Sequence, residues 1–121
     1  MGDETMWIGG EWVASTDGAT SDVLNPATGE LMATVPRATV EDVNRSVSAS
    51  RAAFNNSDWK NMDPAQRGRI LNKMAAVTYA KAKELAVIES SNNGKTFREA
   101  LSEIRYGAWT LEYFAGLSDK I

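Results

Sequence analysis

The stretch from Asp63 to Lys95, DPAQRGRILNKMAAVTYAKAKELAVIESSNNGK, has helix signals at both ends and constrains everything around it. Asp63 suits an N-cap, Pro64 suits the first helical position, and Gln66 stands three residues after the cap. At the far end Asn92-Asn93-Gly94 offers residues that tolerate a left-handed backbone, where a helix can stop. The pattern predicts one long helix. At about 100° per residue, Ile70, Leu71, Met74, Val77, Thr78, Leu85 and Ile88 share one side. Lys81 interrupts that stripe, with an alkyl stem able to pack while the ammonium reaches water. The opposite side carries Arg69, Asn72, Lys73 and Lys83 but also Tyr79 and Val87, so a second element is expected to rest there.

Composition narrows the chemistry. A chain of 121 residues is enough for one small domain and short for most enzymes, and 43% hydrophobic residues permit a sizeable core. A net charge of −3 without basic clusters speaks against nucleic-acid and membrane-surface binding. With no cysteine and no histidine, disulfides, thiol nucleophiles, imidazole bases and the usual zinc ligands are all excluded. No apolar run approaches the roughly 18 residues of a membrane span, and a soluble, cytoplasmic protein is the default expectation.

Before the long helix the chain reads as ribbons and one further helix. Residues 1–5 are small or polar and read as loose. In MWIGGEWV two β-prone runs flank Gly9-Gly10, which predicts a tight hairpin with Trp7 facing Trp12. Asp22-Val23-Leu24 and LMATV at 31–35 form a second pair around Asn25-Pro26-Ala27-Thr28-Gly29-Glu30, a loop rich in turn chemistry. Two such ribbons need a partner to pack on. Thr39 with Asp42 three residues later has capping-box spacing, and Val40, Val43, Val47 and Phe54, joined by Ser50, share a helical face. That helix should end near Asn55-Asn56-Ser57, with Trp59 in the following connector as a plug.

After Gly94 a further helix is predicted from about Phe97 to Leu117. Phe97, Ala100, Leu101, Ile104, Ala108, Leu111, Phe114 and Ala115 lie on one side, and Tyr106, Trp109, Tyr113 and Leu117 roughly opposite. A helix apolar on two sides is normally covered on two sides. The elements present cannot supply both covers, so the chain reads as the front part of something larger.

Two sharper chemical readings fail on spacing. Gly94-Lys95-Thr96 matches the tail of a phosphate-binding P-loop, but Glu89 stands where that motif needs glycine, and a helix precedes the loop instead of a strand. Glu84, Glu89, Glu99, Glu103 and Glu112 are scattered by helical spacing and read as solvated charge, not as an acid–base pair.

The segments IGGEWV at 8–13, VLNPATGELMATVP at 23–36, EDVNRSVSASRAAF at 41–54, DPAQRGRILNKMA at 63–75, ELAVIESSNNGK at 84–95 and EYFAGLSDKI at 112–121 resemble, in order and spacing, the N-terminal segment of the aldehyde dehydrogenase superfamily. The resemblance implies an α+β fragment of a larger α/β fold, with two short β-hairpins followed by three helices. Residues 1–36 would be the hairpin segment, and residues 37–121 the helices flanking a dinucleotide-binding core that this chain does not contain. It also implies an NAD- or NADP-dependent parent enzyme, usually a homo-dimer or homo-tetramer, that oxidises an aldehyde to a carboxylic acid. In the family a cysteine thiolate, a glutamate and an asparagine do that chemistry, and no residue here matches their motifs or the cofactor-binding ones. This chain by itself is therefore expected to be inactive. Some relatives hold a monovalent cation on positions matching Val23, Leu24 and Asn92; Asn92 replaces an aspartate, and an ordinary helix end is its simpler reading. Tyr106, Trp109 and Tyr113 would either run near the substrate tunnel or simply be buried against the missing domain. Thr96 stands where many relatives have proline, which would loosen the junction between helices. The main alternatives are a truncated relative serving as a binding or interaction module, and a remnant that binds nucleotide weakly without turnover.

Overall fold

A computed structural model describes residues 5–56 and 58–120. The expected looseness of residues 1–4 and the placement of Ser57 at a helix end lie outside them. The elements are β1 (Met6–Ile8), β2 (Glu11–Val13), β3 (Thr20–Leu24), β4 (Leu31–Pro36), α1 (Val40–Asn56), α2 (Asp58–Asn61), α3 (Pro64–Ala80), α4 (Ala82–Asn93) and α5 (Phe97–Leu117). They divide into two compact units, Met1–Lys60 and Asn61–Ile121.

The first unit holds two antiparallel ribbons, β1–β2 and β3–β4, and helix α1. Gly9 and Gly10 both take positive φ, 64° and 94°, which lets two residues close the first ribbon with the twist its strands need. Trp7 stands directly opposite Trp12, and their rings meet edge-on with centroids 4.8 Å apart. The second turn is closed by its own side chains. Asn25 Oδ1 accepts from Ala27 N at 2.9 Å, Gly29 N donates to Asn25 O at 2.8 Å, and Gly29 takes φ 74°.

Asp42 holds this unit together. It is 1% exposed and is the largest fully buried side chain among the described residues. Thr39 caps α1 by accepting from Asp42 N at 3.2 Å, while Asp42 Oδ2 accepts from Thr39 N at 2.9 Å, the reciprocal arrangement of a capping box. The same carboxylate accepts from Thr16 N at 3.1 Å and from the Thr16 hydroxyl, which ties the loop before β3 onto the start of α1. Arg45 Nη1 lies 3.7 Å from Oδ1. The Thr16 hydroxyl, and next the Thr39 N–H, hold the Asp42 carboxyl well below the usual carboxylate range. The predicted apolar face of α1 is real as a face, but Val40, Val43, Val47 and Phe54 are all more than half exposed.

In the second unit the predicted long helix is two helices. Lys81 takes φ −96° and ψ 7°, away from helical ψ, and separates α3 from α4. Its N–H still donates to Val77 O at 3.0 Å and its carbonyl accepts from Leu85 N at 3.0 Å. Both α3 and α4 pack on α5, and they do so through small residues. Gly68 and Ala75 of α3, Ala82 and Ala86 of α4, and Ala100, Ala108 and Ala115 of α5 are the buried positions. A seven-residue spacing drifts by about 20° per repeat on a straight helix, and the irregular Lys81 falls where the seam passes from α3 to α4. Several large residues of the predicted stripe are accordingly not its core: Met74, Val77 and Ile88 stay substantially exposed. Trp59, expected as a plug, is 44% exposed.

Helices α3 and α5 approach closely at Gly68. A Cβ placed there would sit 2.8 Å from the Ala115 carbonyl oxygen and 3.4 Å from Ser118 Cβ. The backbones of α3 and α5 touch at this point, and a side chain would separate them.

Candidate functional site on the fifth helix

Helix α5 begins as its sequence dictates. Thr96 Oγ1 accepts from Glu99 N at 3.3 Å and Glu99 Oε2 faces Thr96 N at 3.4 Å, a second capping box. The junction with α4 is fastened further by Gly94, whose φ of 81° ends α4 and whose N–H donates to Ser90 O at 3.0 Å. Ser90 Oγ donates to Lys95 O at 2.7 Å, and Lys95 N donates to Asn93 Oδ1 at 2.9 Å. Threonine at 96, where the resemblance makes proline the commoner residue, supplies the capping hydroxyl of this junction.

The same bonds bear on the Gly-Lys-Thr loop, whose sequence matches the tail of a phosphate-binding P-loop. The backbone N–H groups of Gly94, Lys95 and Thr96 all point at acceptors within the chain, leaving none to meet a pyrophosphate. The loop is closed on itself by these bonds. Lys95 is instead gripped by Glu103 and by Glu89, the latter at 3.1 Å, and both carboxylates raise its pKa, Glu103 more strongly. The scattered glutamates have local work throughout. Glu99 caps α5, Glu84 lies 3.9 Å from Lys81, and Glu112 accepts from the Tyr79 hydroxyl at 3.3 Å. Partial burial raises the Tyr79 pKa, and the Glu112 charge adds to the effect.

The buried side of α5 is the alanine seam, with Leu101, Ile104 and Leu111 beside it at intermediate burial. Its aromatic side is open. Tyr106, Trp109 and Tyr113 follow at helical spacings that bring neighbours together, and each is half or more exposed. Tyr106 stacks on Trp109 with centroids 5.5 Å apart, Trp109 tilts against Tyr113 at 5.9 Å, and Tyr113 meets Phe114 edge-on at 5.4 Å. The result is a continuous aromatic strip, preformed along one rigid helix.

The positions that the resemblance relates to a cation do not form one cluster within a unit. Val23 and Leu24 lie on β3, with an irregularity in register between them, and belong to the first unit. Asn92 is exposed near the end of α4 in the second.

The sequence of these elements places the chain. Residues 12–121 match the Aldehyde dehydrogenase family, and the chain belongs to that family. It is 42% identical over 117 residues to (Z)-2-((N-methylformamido)methylene)-5-hydroxybutyrolactone dehydrogenase of Acinetobacter baylyi, a match covering 96% of this chain and 23% of that protein. Among solved structures, NAD-dependent aldehyde dehydrogenase from Sinorhizobium meliloti superposes with a TM-score of 0.93 at 35% identity, over 98% of this chain and 24% of that one. A variant of betaine aldehyde dehydrogenase from Staphylococcus aureus in complex with NAD+ gives 0.93 at 33% identity, with the same coverage. The chain thus spans about a quarter of the length of the relatives it matches.

Proposed function

We propose that this chain is the N-terminal part of an NAD(P)-dependent aldehyde dehydrogenase, an enzyme that oxidises an aldehyde to a carboxylic acid while a nicotinamide dinucleotide takes up the hydride. Its own contribution is structural. The family match over residues 12–121 carries the reading, and two further observations support it. The chain has no cysteine to act as the nucleophile, and both α1 and α5 present apolar faces that its own elements leave exposed. A relative solved with NAD+ supports a nicotinamide cofactor, held by residues outside this chain. Tyr106, Trp109 and Tyr113 would then pack against the remainder of the enzyme near the substrate tunnel, and the 121 residues alone would turn nothing over.

A transplant tests this. Residues 12–121 replace the matching segment of the Sinorhizobium meliloti enzyme, and aldehyde-dependent formation of reduced nicotinamide is followed in the chimera and in the isolated chain. Activity in a folded chimera, with none in the isolated chain, is the expected result. A chimera that folds and binds cofactor yet stays inactive would favour a non-catalytic interaction module. Turnover by the isolated chain would overturn the reading outright.

A further inference from the structure

We draw no further inference here: the strongest candidate, the exposed apolar face of α1 formed by Val40, Val43, Val47 and Phe54, carries nothing because nothing in the structure shows what covers it.

Discussion

At the scale of single residues, two glycines on packed helices should respond oppositely to the same change. Gly68→Ala adds a carbon 2.8 Å from a backbone carbonyl, an atom that cannot swing aside. The strain of overpacking, about 1–3 kcal/mol, should outweigh the gain of up to about 1 kcal/mol in helix propensity. Gly107→Ala meets nothing within 4 Å, so only the propensity gain remains. Urea unfolding of the two variants should therefore move the midpoint down for Gly68→Ala and up for Gly107→Ala. Asp42 makes a different prediction, because its folded pKa is depressed below 3.8. Such a group contributes stability that is present above the ordinary value and fades as pH falls toward the folded one. Asp42→Asn keeps the shape of the side chain but removes that contribution, so the variant should be less stable at neutral pH and its stability should fall less steeply with acid. An acid limb as steep as that of the parent chain, followed by circular dichroism, would show that other carboxylates set it.

Between elements, the α4–α5 junction is the place where a small change should have a clear cost. Thr96→Ala removes one half of the capping box and should cost about 1 kcal/mol, measurable as faster amide exchange in the first turn of α5. The Lys95 contacts in the same junction carry the reverse pH sense from Asp42. A lysine whose pKa is raised by its partners contributes stability below its ordinary value, and loses it as pH climbs through the raised one, so this contribution fades only in strong alkali. Elements of this kind were legible in the sequence, because their determinants are local. Gly9-Gly10, the Asn25–Glu30 turn, Thr39 with Asp42, and the limits of α5 each declare themselves within a few residues. The break at Lys81 was not legible, since no proline or glycine marks it. Neither was the seam. Hydrophobic periodicity gives most weight to large side chains, whereas helices that approach closely bury the smallest ones, and Ala75, Ala82, Ala100 and Ala108 outrank Met74 and Val77 for that reason. The Thr16 contact with Asp42 joins positions 26 apart, a distance that no local pattern encodes. Of the candidate site, the aromatic strip and its lack of cover could be read from spacing, since the predicted helix is apolar on two sides, but the ring-on-ring contacts along it could not.

For the molecule as a whole, the dominant fact is how much large apolar surface lies open: Trp7, Trp12, Phe54, Tyr106, Trp109 and Tyr113 are all half or more exposed. Surfaces of that kind on a chain studied alone should bind a hydrophobic dye and promote concentration-dependent association, visible by light scattering. Replacing Tyr106, Trp109 and Tyr113 together by serine should reduce both signals in the isolated chain; unchanged signals would locate the adhesive surface elsewhere. The contact at Gly68 has a last consequence for this strip. Because α5 rests directly on α3 there, the thickness of one hydrogen atom sets how far the aromatic side of α5 stands from the helix behind it. In a saturation mutagenesis screen scored on folding, position 68 should therefore rank its substitutions by side-chain volume, every residue larger than glycine costing stability.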